Sequence, residues 1–114
     1  MTILAEEKQG VTIVSLSGEI DLQTSPEVRK SLLTHLEQGK DLIVDMHAVG
    51  YIDSSGVASL VEAYQTARQE GLRFSLAQVG QGAMRVLQLA RLDRVFTIHA
   101  TVDDGLESLK PAGG

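Results

Sequence analysis

Short apolar runs alternate with stretches of helical period along the chain. Residues 2–7 and 11–17 are β-favouring runs joined around Gln9-Gly10, and they predict an opening hairpin in which Val11 and Ile13 alternate against Thr12, Val14 and Leu16. Ser17-Gly18-Glu19-Ile20-Asp21 leaves the second strand. Thr24-Ser25-Pro26-Glu27 then offers two N-caps, a proline suited to a first helical turn, and a glutamate at capping-box spacing from Thr24. Val28, Leu32, Leu33 and Leu36 keep helical spacing from that point, and Gly39 is placed to end the helix. Leu42-Ile43-Val44, between Asp41 and Asp45, is apolar without alternation, the pattern of a central strand covered on both faces.

Tyr51-Ile52-Asp53-Ser54-Ser55-Gly56 reads as a strand-to-helix junction. After it, Val57, Leu60, Val61 and Tyr64 recur at i, i+3, i+4 and i+7 while Glu62, Gln65, Thr66 and Gln69 face away, so an amphipathic helix runs to Gly71. Leu72, Phe74 and Leu76 alternate with Arg73, Ser75 and Ala77 as a strand, and residues 82–91 give a helix with Val86, Leu87 and Ala90 inward. Residues 95–98 make a last strand, Val102, Leu106 and Leu109 a final helix, and residues 111–114 a frayed tail. The order ββαβαβαβα predicts an α/β fold. It is a single domain over residues 1–110, an N-terminal hairpin followed by βα units in a mixed, largely parallel sheet packed with about four helices. Ligands and partners of such sheets meet loops at the carboxyl ends of strands. The loops 18–24 and 52–56 both leave such ends, which predicts that they are neighbours and that Asp21 lies near Asp53 and Ser54.

Composition narrows the classes. A chain of 114 residues, 43% hydrophobic and 22% charged, is the size of one globular domain, and with only 4% aromatic residues its core must be aliphatic. A net charge of −5 with ten dispersed Lys and Arg disfavours nucleic-acid binding. The absence of cysteine removes disulfides, thiolate zinc sites and thiol catalysis. No apolar run approaches the roughly 20 residues of a membrane span and the N-terminus lacks signal-peptide character, so a cytoplasmic protein without membrane insertion is expected.

Ser54 is the first enzymatic candidate to weigh. Its surroundings read Ile-Asp-Ser-Ser-Gly, not Gly-x-Ser-x-Gly; His35 falls on a helix, and His47 and His99 show no obvious orienting partner, so a serine hydrolase is disfavoured. Asp21, Asp45, Asp53, Asp103 and Asp104 match no calcium loop, and Gly80-Gln81-Gly82 completes no phosphate-binding motif. Neither a metal nor a cofactor is expected. Two uses of the junction stay open. Asp53 can simply cap the helix, with Ser54 and Ser55 in its first turn and Gly56 leaving the backbone open. Alternatively a serine there accepts a phosphate, held by free N–H groups and the helix dipole; the added charge of about −1.5 to −2 beside Asp53 and Asp21 would then alter docking more than folding.

Gly18-Glu19-Ile20-Asp21, the acid-bounded strand Asp41–Asp45 and Tyr51-Ile52-Asp53-Ser54-Ser55-Gly56-Val57 resemble, in order and spacing, the STAS domains of bacterial anti-sigma factor antagonists. The similarity covers nearly the whole chain, although Val57-Ala58 departs from the Leu-Gly often found after the motif. The resemblance implies partner switching by a protein that is not itself an enzyme. The unphosphorylated antagonist binds an anti-sigma factor that is also a serine kinase, phosphorylation by that kinase releases it, and a serine phosphatase resets it. ATP and magnesium then belong to the kinase, and DNA is not contacted directly. By position the resemblance makes Ser54 the phosphorylation site, with Ser55 the second choice, and puts Asp21, Thr24, Asp53, Ser55 and Gly56 on the partner-binding surface. Other members of the family imply an alternative: a small soluble subunit of a lipid-transport ABC system or of a stress-signalling assembly.

Overall fold

Gln9 (φ 57°) and Gly10 (φ 78°) both take left-handed backbone, the combination that closes a two-residue hairpin with the right twist. Around them β1 (Thr2–Lys8) and β2 (Val11–Ile20) pair antiparallel, as the sequence predicts. The structure, a computed structural model, describes residues 1–109; the expected tail 111–114 lies outside the described residues. The chain continues through α1 (Ser25–Glu37), β3 (Asp41–Ile52), α2 (Ser54–Gln69), β4 (Phe74–Ala77), α3 (Gln81–Leu89), a 3₁₀ turn (Leu92–Arg94), β5 (Thr97–His99) and α4 (Val102–Ser108). The fold is the expected α/β one: a five-stranded sheet in the order β1-β2-β3-β4-β5, antiparallel only between β1 and β2.

Each parallel strand is added beside its predecessor, so right-handed crossovers put α1, α2 and α3 on one face. Val14, Leu16, Leu42, Val44 and Leu76 of the sheet pack there against Val28, Leu32 and Leu36 of α1, Leu60, Ala63 and Ala67 of α2, and Leu87 of α3. The opposite face is covered by α4, whose Leu106 meets Val11, Ile13, Ile43 and Ala77. β2 is therefore buried on both sides at its start, and β3 is the middle strand that its unbroken apolar run predicts. Arg29 of α1 and Glu62 of α2 form an exposed ion pair across the helical layer.

The structure corrects the predicted elements in four places. β2 runs on to Ile20 and β3 to Ile52; the two stay paired beyond the rest of the sheet, with register shifts between Ser15 and Ser17 and between Gly18 and Glu19. Gly18 (φ 105°) takes the conformation that the second shift requires. The buried line of α2 is Gly56, Ser59, Leu60, Ala63 and Ala67, whereas Val57, Val61 and Tyr64 are half-buried, because small residues let the helix lie closer to the sheet. Ala90 is the exposed C-cap of α3, and Ala83 is buried with Leu87 instead. β4 begins after Leu72, and the last strand is Thr97–His99, with Val95 and Phe96 preceding it.

Candidate functional site

The junction between β3 and α2 is organised by Asp53. Its backbone is extended (φ −107°, ψ −173°), and its Oδ1 accepts hydrogen bonds from Ser55 N (2.9 Å), Gly56 N (3.1 Å) and Ser55 Oγ (2.6 Å). This is N-cap geometry, with the carboxylate engaging the amides two and three residues on. The Ser55 hydroxyl does most to hold the Asp53 carboxyl below the usual carboxylate range; partial desolvation opposes it, and the N–H groups of Gly56, Ser55 and Leu22 reinforce it. Two first-turn amides are thus already engaged, which corrects the expectation that they stand free for a phosphate.

The two serines differ sharply. Ser55 is half-buried and its hydroxyl donates to Asp53. Ser54 is exposed, and its hydroxyl makes no hydrogen bond among the described residues. Behind them, a Cβ added at Gly56 would stand 2.6 Å from Ile20 Cγ2 and 2.7 Å from Ile52 Cγ1. Gly56 therefore serves close packing of the α2 start on both strand ends, the near approach that only glycine allows. Ser59 Oγ lies 3.1 Å from Ser55 O and 3.3 Å from Ser25 O, linking the first turn of α2 to the start of α1.

The loop after β2 is a direct neighbour, as expected, since Asp53 N donates to Ile20 O (3.1 Å). Within that loop Asp21 Oδ1 accepts from Gln23 N (2.9 Å) and Thr24 N (3.0 Å). Thr24 Oγ1 donates to Glu19 O (2.8 Å) and accepts from Asp21 N (2.9 Å). The predicted capping box at Thr24 is corrected by these bonds: Thr24 precedes α1 in a helical conformation and makes no side-chain cap, because its hydroxyl is held inside the loop. The structure so brings Asp21, Thr24, Asp53 and Ser55 together beside Ser54, whereas Gly56, expected on the same surface, is buried beneath it because it packs against Ile20 and Ile52. Sequence reasoning missed two members of its periphery, Leu22 (76% exposed) and Tyr51 (51% exposed). The available signal was a leucine standing among loop-forming polar residues, outside every apolar period.

Both histidines without an expected partner have one. His47 Nδ1 is 3.1 Å from Oδ1 of buried Asp45, which also accepts from His47 N and Gln78 Nε2 (both 3.1 Å), and His99 Nε2 is 3.4 Å from Ser108 Oγ. Neither contact involves Ser54, so among the described residues no histidine is paired with that hydroxyl. Gly80 caps α3 as a plain turn residue. Among the described residues no three His, Asp or Glu side chains group as metal ligands, and no helix is long and apolar enough to cross a membrane.

Comparison with known proteins bears on this surface. The profile of the STAS domain matches residues 2–105. The anti-sigma-B factor antagonist of Bacillus subtilis is 28% identical over 94 residues, 82% of this chain and 86% of that protein. The anti-sigma F factor antagonist of Paenibacillus polymyxa is 27% identical over 112 residues, 96% of each chain. The crystal structure of an anti-sigma factor antagonist from Mycobacterium paratuberculosis matches with a TM-score of 0.89 at 31% identity, covering 96% of this chain and 94% of that one.

Proposed function

The chain belongs to the STAS domain family, and we propose that it is an anti-sigma factor antagonist switched by phosphorylation of Ser54. The observation that carries this reading is the contrast between the two serines, one hydroxyl exposed and unengaged, the other bonded to Asp53 at 2.6 Å. In this reading the unphosphorylated surface formed by Asp21, Thr24, Asp53 and Ser55, with Gly56 packed beneath it, binds an anti-sigma factor that is a serine kinase. ATP and magnesium reside on that kinase, a serine phosphatase reverses the modification, and the exchange takes place in the cytoplasm. The protein is substrate and regulator; its own residues perform no chemistry.

The geometry supports a switch that acts on docking. A phosphate on Ser54 would sit in the first turn of α2, where the helix dipole favours negative charge. The Ser55 and Gly56 amides are held by Asp53, and residues 19–24 and 51–57 contain no Lys or Arg. The added charge of about −1.5 to −2 would thus stand unneutralised next to Asp53 and be felt by whatever docks there. The test is mass spectrometry of the chain after incubation with ATP and the anti-sigma kinase of its host. Phosphate on Ser54, abolished in a Ser54→Ala variant that still binds the kinase and mimicked in a Ser54→Asp variant that binds it weakly, is the expected result. Kinase-dependent phosphate on Ser55 with Ser54 unmodified would overturn the assignment.

A further inference from the structure

Leu22 is 76% exposed, yet it sits on a loop held by several internal hydrogen bonds. Asp21 Oδ1 gathers the amides of Gln23 and Thr24, Thr24 Oγ1 bridges Glu19 O and Asp21 N, and Ser25 N donates to Asp21 O (2.8 Å). The loop is tied to the start of α2 by the hydrogen bond from Asp53 N to Ile20 O (3.1 Å). The Asp21 carboxylate, the Gln23 and Thr24 amides and the Thr24 hydroxyl around Leu22 are therefore bonded within the protein, while the Leu22 side chain is left in water. A mobile loop would have to be ordered on binding; this one is ordered beforehand, which removes an entropic penalty that otherwise weakens association. Tyr51 adds a second exposed apolar body nearby: it is 51% exposed and is paired in register with Glu19, three residues before Leu22.

Resting on the reading given above, we infer that Leu22 is the apolar anchor of the antagonist surface, with Tyr51 at its margin. Its occupant is an apolar socket on the anti-sigma factor, rimmed by basic side chains. Charge complementarity fixes the rim: Glu19, Asp21 and Asp53 are the charged residues of segments 19–24 and 51–57, and all are acidic. Leucine is less common than tyrosine or arginine at the centre of interfaces, and the case for Leu22 rests on its rigid loop and on the polar groups around it that would close off water once the partner docks. The anchor also divides the labour of the surface. Leu22 sets how tightly the partner is held, and the charge state of Ser54 sets whether it is held.

The test is calorimetric titration of the purified anti-sigma factors of the host with wild-type chain, Leu22→Ala and Leu22→Met. The factor that binds wild type should bind Leu22→Ala about tenfold or more weakly, with Leu22→Met close to wild type and the melting temperature unchanged in both. Should Leu22→Ala fail to fold, Leu22→Gln, which keeps the side-chain length, gives the same reading. Affinity of the truncated variant within about twofold of wild type overturns the anchor and leaves the assignment of Ser54 standing. A wild-type chain that binds none of these factors overturns the functional reading, and the anchor with it.

Discussion

The approaches to α1 and α2 are built from the same local device and leave different side chains free. In each, an aspartate Oδ1 accepts from the amides two and three residues on: Asp21 from Gln23 and Thr24, Asp53 from Ser55 and Gly56. In each, a hydroxyl is engaged as well, Thr24 in the first and Ser55 in the second. The position directly after the aspartate is exposed in both, and it is Leu22 in one and Ser54 in the other. Where the aspartate itself is the N-cap, that position falls in the first turn of a helix and meets its dipole; where the turn stands ahead of the helix, it does not. One motif thus presents an exposed leucine and an exposed serine hydroxyl in neighbouring loops, and the Asp53 N–Ile20 O bond holds the two presentations together.

Gly56→Ala breaks the comparison at its base. The new methyl meets Ile20 and Ile52, both fully buried, so unfolding in denaturant should show a loss of about 1–3 kcal/mol although alanine is the better helix former. Asp53→Ala should lower the melting temperature through the missing cap, by less than Gly56→Ala does. Because the folded Asp53 carboxyl titrates below its unfolded value of about 3.9, its contribution is fully present above that pH and fades as pH falls through the lower folded value. Melting curves of wild type and Asp53→Ala should therefore converge in strong acid; a gap constant down to pH 2 would show that the ionised form is not what matters. The smallest effect sharpens the distinction between the serines. Ser55→Ala removes a bonded hydroxyl and should lower stability by about 1 kcal/mol, whereas Ser54→Ala should stay within about 0.5 kcal/mol of wild type.

Much of this was legible in the chain. The Gln9-Gly10 turn, the central position of Leu42-Ile43-Val44 and the alternation of helices and strands depend on local chemistry and on burial patterns of clear period. The adjacency of loops 18–24 and 52–56 followed from that order alone. The length of β3 was hidden because its later buried residues, Met46, Val49 and Ile52, recur every third position through a region of shifted register. Thr24 read as a cap because capping chemistry and loop chemistry use the same hydroxyl, and only the fold places Glu19 O within 2.8 Å of it. The close face of α2 was masked by Val57, Val61 and Tyr64, since periodicity weighs large apolar residues while contact with the sheet selects small ones. Leu22 escaped notice because exposure of a leucine is a property of the assembled surface.

The strand order leaves β1 and β5 with one unpaired side each. Such edges invite copies of a protein to add strand to strand, and the two are blunted differently: β1 ends in Glu6, Glu7 and Lys8, all exposed, while β5 is only three residues long. Charge at one border and brevity at the other discourage aggregation through the sheet. The surface proposed to bind a partner lies instead at the strand ends, away from both borders.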